Sequence, residues 1–290
     1  MRVALLGFGE VGQILAEDLR SLGHTDLIAW DILFDRPDSA PLRAARNTGA
    51  IPRGCAAALR GAQLVISAVT ASQCVAAARE AARSIERKAY FLDLNSVSPR
   101  SKCDASATID AAGGLYIEAS VMAPIGPRRI GSPILLGGPH AQEFSTLARD
   151  LGFVGAAFYS AVLGKAAAAK MCRSVLIKGL ESLLTESLLA ARHYGVDADV
   201  LSSVQNLLPG ADWTELSRYM ISRSLRHGRR RAEEMREAAA TVHEVGIKAL
   251  MSPAAALRQD LNASIAVDPE TPSLGAMLDA MLQTRRELRC

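Results

Sequence analysis

Arg2-Val3-Ala4-Leu5-Leu6-Gly7-Phe8-Gly9-Glu10-Val11-Gly12 is the stretch that decides the fold. Val3 to Leu6 reads as a short buried strand, and Gly7 to Gly12 spells a full GxGxxG. Gln13 to Leu22 carries helical apolar spacing, and Gly23 can end that helix. Leu27 to Trp30 reads as a second strand with Asp31 at its end. Strand, glycine turn, helix, strand and acid in this order form the arrangement that receives a dinucleotide. The glycines permit the tight turn, the approach of a pyrophosphate and close helix–strand packing, and the helix N-terminus offers N–H donors to the phosphates. Gly7, Phe8, Gly9, Glu10, Val11 and Gly12 are therefore candidate cofactor contacts. Asp31 is placed to accept hydrogen bonds from a ribose hydroxyl and to repel a 2′-phosphate, which favours NAD. Arg36, close behind, can pair with such a phosphate and keeps NADP open.

The alternation continues. Leu64 to Val69, Tyr90 to Leu94 and Leu115 to Ser120 read as strands, and Ile134 to Leu136 precede Gly137-Gly138. The fold expected is α/β, a doubly wound and mostly parallel sheet of Rossmann type. Ligands in such sheets lie beyond the carboxyl ends of the strands. Ala68, Val69, Ser72, Asn95 and Ser96 become candidate cofactor contacts by that rule, and Ser120, Val121, Met122 and Ala123 candidate substrate contacts.

Gly164 to Gly195 has apolar residues at helical spacing from Met171 to Leu189 and spans roughly 45 Å as a helix. It reads as a junction helix with Lys170, Ser174 and Lys178 at one-turn intervals. The expected division is a dinucleotide-binding domain over 1–162 and an all-α C-terminal domain over 163–290. Helices are expected from Asp197 or Asp199 to Leu208, from an Asp212 cap to about Arg226, from Arg229 to Val245, and after Ser252-Pro253 and Ser273. Arg226, His227, Arg229, Arg230 and Arg231 would then crowd a helix start, each opposing the macrodipole at roughly 0.3–1 kcal/mol. Such crowding reads as a solvated charged face or as a surface for an anionic substrate or an acidic partner subunit, the second reading making His227 and Arg230 candidate substrate contacts.

A chain of 290 residues with 49% hydrophobic residues can bury two ordinary cores. A net charge of +3 and 4% aromatic residues do not point to nucleic acid. No run of 18 apolar residues is present, so no membrane span is expected, and MRVALLGFGE carries no secretory pattern. The 5 cysteines include no CxxC pair and read as reduced thiols of a cytoplasmic protein. No metal-ligand spacing occurs among the 5 histidines.

Over Met1 to about Arg192 the sequence resembles the β-hydroxyacid dehydrogenases, which include 3-hydroxyisobutyrate and 6-phosphogluconate dehydrogenases. Besides the glycine fingerprint, the family's Asp-x-Ser-Thr-x-x-Pro segment resembles Asp93 to Pro99, and its Gly-Gly-x resembles Gly137-Gly138-Pro139. The Gly-x-x-x-Lys junction helix resembles Gly164 to Cys172, which puts the catalytic lysine on Lys170. The resemblance implies NAD(P)-dependent hydride transfer on a small hydroxy acid, a phosphorylated sugar acid included, with Ser96 near the nicotinamide ribose and a homodimer formed through the helical domain. Three departures touch the substrate side. The family's Asp-x-Pro-Val-Ser-Gly-Gly loop reads Glu118 to Pro124 here, its asparagine after the lysine is Ser174, and its later Lys-Asp pair falls near Glu233-Glu234. These leave two alternatives: C=N reduction, as in imine reductases of similar fold, or dinucleotide binding without catalysis.

Overall fold

The computed structural model describes residues 1–207 and 209–287. Its sheet has eight strands: β1 (Val3–Leu6), β2 (Leu27–Trp30), β3 (Ile51–Pro52), β4 (Leu64–Ser67), β5 (Tyr90–Asp93), β6 (Leu115–Val121), β7 (Ile134–Gly137) and β8 (Ala156–Ser160). They lie in the order β3-β2-β1-β4-β5-β6-β7-β8, parallel throughout except where β6 meets β7. The order reverses at β1, where Leu6 pairs with Trp30 on one side and Ser67 on the other. β1 is buried on both faces: Val3 and Leu5 join one core, Ala4 and Leu6 the other. That double burial explains its unbroken apolar run.

Two strands are absent from the sequence expectation. β3 is two residues long and contains Pro52, which has no N–H for a ladder and is tolerated at an edge. β8 is the opposite edge, with Phe158 41% and Tyr159 49% exposed, so it shows no buried alternation to read.

Around the sheet run α1 (Glu10–Ser21), α2 (Ala40–Thr48), α3 (Cys55–Leu59), α4 (Cys74–Ala82), α5 (Pro99–Ala111), α6 (Ile125–Arg128) and α7 (Ala141–Asp150). The junction helix is α8 (Lys165–Tyr194), bracketed by Gly164 at φ 87° and Gly195 at φ 73°. The molecule divides into Met1–Met171 and Cys172–Cys290, inside α8 rather than at the expected 162/163. The reason is packing: Ala166, Ala167 and Met171 are buried, so the first two turns of α8 belong to the sheet unit.

The second unit continues α8 and adds α9 (Asp197–Leu207), α10 (Trp213–Glu244), α11 (Met251–Ala263) and α12 (Leu274–Glu287). Leu208, the expected end of α9, lies outside the described residues, as does Cys290. Asp212 Oδ1 accepts from Glu215 N at 3.0 Å and Ser273 Oγ from Ala276 N at 3.2 Å, so these two caps form, whereas the start expected at Ser252-Pro253 falls at Met251, where Leu250 offers no side-chain cap. One expectation fails. The residues read as two helices, from Asp212 and from Arg229, form the single 32-residue helix α10. Gly228 does not break it: a Cβ there would lie 2.5 Å from Gln259 O, so the glycine admits α11 instead. The arginine cluster consequently sits in mid-helix, where the macrodipole penalty does not apply. The core of this unit gathers Leu188, Leu189, Trp213, Ile221, Met277, Leu278 and Met281.

Candidate functional site

The glycine turn follows β1. Gly7 has φ 88°, and a Cβ on it would meet Ala68 O at 2.5 Å; a Cβ on Gly12 would meet Gly7 O at 2.2 Å. Gly9 differs: its missing side chain faces open space, and as N-cap of α1 it leaves the helix end without a side-chain cap. An open, donor-rich helix N-terminus fits an anionic pyrophosphate. Phe8 is fully buried and its ring packs toward Phe34 at 6.3 Å, so only its backbone faces the turn. Phe8 N donates to Asp31 Oδ2 at 2.8 Å and Leu33 N donates to Asp31 Oδ1 at 2.9 Å. Asp31 thus straps the end of β2 to the glycine turn, and each carboxylate oxygen keeps a lone pair for a further donor. Glu10 and Arg36 are exposed beside this turn, and Val11 is half-buried against the core.

The next two loops are cross-linked by Asn95. Its Oδ1 accepts from Val69 N at 2.7 Å and its Nδ2 donates to Ser67 Oγ at 3.0 Å, with the side chain buried. Asn95 is a brace between the ends of β4 and β5; Ala68 N is likewise committed, to Leu6 O at 2.8 Å. Ser72 is exposed, its Oγ 3.3 Å from Thr70 Oγ1.

Beneath these loops lies a group absent from the sequence reading. Lys102 on α5 and Asp93 at the end of β5 form an ion pair of 3.0 Å with both side chains at 0% exposure. Lys102 Nζ also donates to Asp93 O at 2.9 Å, and Asn95 N donates to Asp93 Oδ1 at 2.9 Å. Tyr116 Oη and Cys74 Sγ donate to Asp93 Oδ2 at 2.6 and 3.3 Å. Burial first, and then the Asp93 carboxylate, push the Tyr116 phenol and the Cys74 thiol up, so both stay protonated donors. A lysine on a helix reads as a solvent-facing residue, and nothing local marks Lys102 as buried.

Ser96 and Lys170 meet across 74 residues of sequence: Lys170 Nζ donates to Ser96 Oγ at 2.6 Å. Glu118 fixes where α8 begins. Fully buried, it accepts from Gly164 N at 2.7 Å and from Ala167 N. A Cβ on Gly137 would lie 2.5 Å from Glu118 Oε2, so the glycine makes room for this carboxylate. Burial raises the Glu118 carboxyl, while Lys102 and the two backbone N–H groups pull it back down. The first residue of the altered substrate loop is therefore a helix cap. Ser120 is buried on β6, and Val121 pairs with Ile134. Met122 and Ala123 are half-buried, and Met122 N donates to Pro133 O at 2.8 Å. The sheet thus uses the Met122 N–H.

In the second unit, Ser174 and Lys178 are 5% and 8% exposed. Lys178 Nζ donates to Ser174 Oγ at 3.2 Å and pairs with Glu234 of α10. Arg231 pairs with Glu181, which also accepts from Gln259 Nε2 at 3.1 Å. The pairs Lys178–Glu234 and Glu181–Arg231 set α8 and α10 antiparallel. Arg226 pairs with Glu270, and Arg230 Nε lies 3.9 Å from Glu234. Burial and then the surrounding arginines 223, 230, 231 and 226 press His227 down to about 4. Among the described residues there is no group of three or more metal-binding side chains, and no helix is long and apolar enough to cross a membrane.

A family model described as a domain of unknown function, DUF1932, matches residues 191–261. The chain is 22% identical over 216 residues to the mitochondrial 3-hydroxyisobutyrate dehydrogenase of Bos taurus, covering 73% of this chain and 63% of that one. It thus spans less than two thirds of that relative's length. The crystal structure of a conserved hypothetical protein from Sinorhizobium meliloti 1021 is 33% identical, with a TM-score of 0.76 over 98% of this chain and 96% of that one. A conserved protein of unknown function, described as structurally similar to 3-hydroxyacid dehydrogenases, is 30% identical, with a TM-score of 0.69 over 98% and 99%.

Proposed function

The chain belongs to the β-hydroxyacid dehydrogenase family, and from that premise we propose that it oxidises the hydroxyl of a small hydroxy acid, or reduces the matching carbonyl, with NAD as cofactor and Lys170 moving the proton. The observation that carries this reading is the 2.6 Å hydrogen bond between Lys170 and Ser96. It holds the lysine at the carboxyl edge of the sheet, beside the loop that follows β5. Ligands of doubly wound sheets bind at that edge. Gly7, Gly9, the N-terminus of α1 and Asp31 would hold the dinucleotide, and Ser96 would stand at its nicotinamide ribose. When bound, the nicotinamide supplies the hydride acceptor or donor. Lys170 accepts the hydroxyl proton as the alcohol becomes a carbonyl and returns it in the reverse direction. Ser174, one turn after Lys170 on α8, would hydrogen-bond the same oxygen, and Lys178, one turn further, would serve as a substrate contact. Turnover of a hydroxy acid with NAD is the expected result of a substrate panel. Reduction of imines with NADPH, without alcohol oxidation, would overturn the reading.

The strap at Asp31 supports NAD over NADP. Its carboxylate stays at the end of β2, bound to two backbone N–H groups, and repels a 2′-phosphate. Binding is expected to favour NADH over NADPH by about tenfold or more, read as a larger rise in melting temperature at equal concentration. Equal shifts would give Arg36 the deciding role.

A second copy of the chain is proposed to cover the helical unit. Leu176 and Leu183 on α8 are 74% and 56% exposed, and Leu257 and Leu261 on α11 are 65% and 51% exposed. The two helices lie side by side, joined by Arg258–Glu186. Leu176→Glu combined with Leu183→Glu is expected to turn a dimer into a monomer in sedimentation velocity; a wild-type protein that is already monomeric would refute this assembly.

A further inference from the structure

The arginines of α10 are not equivalent. Arg226 is neutralised by Glu270, Arg231 by Glu181, and Arg230 approaches Glu234. Arg229 is exposed. Arg223 is half-buried, pairs with no carboxylate among the described residues, and has an Nε buried without a partner. A guanidinium drawn out of water without a counter-charge is costly, and an anion removes that cost.

Its neighbours complete a surface of donors. Tyr219, Arg223, His227 and Arg230 recur at i, i+4, i+8 and i+11 and so share one face of α10 over about 16 Å. Tyr219 is 48% exposed and Arg230 46%, so the face opens to solvent at both ends. After burial, the repulsion of Arg231 acts most on the Arg223 charge, then the Tyr219 phenol and Arg230; the Glu181 carboxylate, already paired with Arg231, supports it from beyond ion-pair distance. We infer that this face binds an oxyanion, the phosphate or carboxylate of a small molecule, with the Arg223 guanidinium as its fork and His227 as a second donor. A planar fork suits either group, because both present two oxygens to parallel N–H bonds. The inference rests on the dehydrogenase reading only in assigning that anion to the substrate.

The experiment titrates the full chain with inorganic phosphate, and separately with malonate, against sodium chloride at matched ionic strength. Wild type and R229A are expected to bind the anion and rise in melting temperature. R223A is expected to bind about tenfold more weakly or not at all. A stronger response to phosphate than to malonate assigns the site to a phosphoryl group, and the reverse assigns it to a carboxylate. Equal responses from R223A and R229A would reduce the effect to general charge screening and overturn the inference. An R223A protein that changes its sedimentation, in a chain whose wild type ignores both anions, would assign Arg223 to a carboxylate of a second copy and overturn it too. Should R223A not fold, H227A is read in the same titration, with the same expected weakening. A wild-type protein that shows no anion response but an intact NADH response refutes this inference alone. A missing NADH response refutes the dehydrogenase reading.

Discussion

Lys170→Ala is expected to lower turnover by about 10²–10⁴-fold while leaving the NADH-induced rise in melting temperature nearly unchanged. The two effects separate because the lysine and the glycine turn are built by different parts of the sheet unit. The turn depends on Gly7, Gly9 and the strap from Asp31 to Phe8 N. Lys170 is held by Ser96 and by the origin of α8, which Glu118 caps. A Lys170→Ala protein that keeps its turnover would end the assignment of this residue as proton carrier. A protein that loses NADH binding with it would instead make Lys170 part of the cofactor site. Ser96→Ala should fall between, costing about tenfold in rate through a less well placed ammonium.

Lys102→Met should destabilise the sheet unit by about 3–5 kcal/mol. The substitution keeps most of the volume and removes the only positive charge that meets the Asp93 carboxylate at 0% exposure among the described residues. Tyr116, Cys74 and Asn95 N would still donate to Asp93, but neutral donors do not replace a counter-charge in an apolar interior. The measurement is the urea midpoint, read with an unchanged slope. Asp93→Leu in the Lys102→Met background should recover part of the loss, since a matched apolar pair leaves no orphan charge. A single-variant loss under about 1 kcal/mol would mean that water reaches the pair. Function should follow stability here, because Asp93 also holds Asn95 and through it Val69 N.

The sequence alone carries the left-hand part of the sheet clearly. Val3 to Leu6, the GxGxxG and Asp31 are local patterns, each set by neighbours within a few residues, and the structure keeps them where they were read. The same holds for α8, whose flanking glycines both adopt positive φ. Edge strands are a different matter. β8 exposes Phe158 and Tyr159, so the period that marks a strand is missing. The break expected between Arg226 and Arg229 is absent for a tertiary reason: Gly228, which lies between them, keeps the helix straight on and gives α11 the space of a Cβ.

Chemistry followed the same divide. Lys170 and Ser96 were each legible as candidates, but their contact across 74 residues was not, because no pattern records which loop a helix lysine will reach. Glu118, read as the first residue of a substrate loop, is a buried cap on α8; its role depends on Gly164 and Gly137 being brought to it by β6 and β7. Lys178, Glu181 and the arginines of α10 could be read only as charged residues. The antiparallel packing of α8 and α10 decides which are neutralised and which, like Arg223, stand outside an ion pair among the described residues. By itself the sequence determined the α/β order of elements and the glycine turn, because backbone geometry and hydrophobic periodicity are short-range properties of the chain, and its resemblance to the family singled out Lys170. Only the tertiary structure decided which charges are buried, which are paired and which remain to meet a ligand, because burial and pairing depend on residues that the chain brings together from far apart.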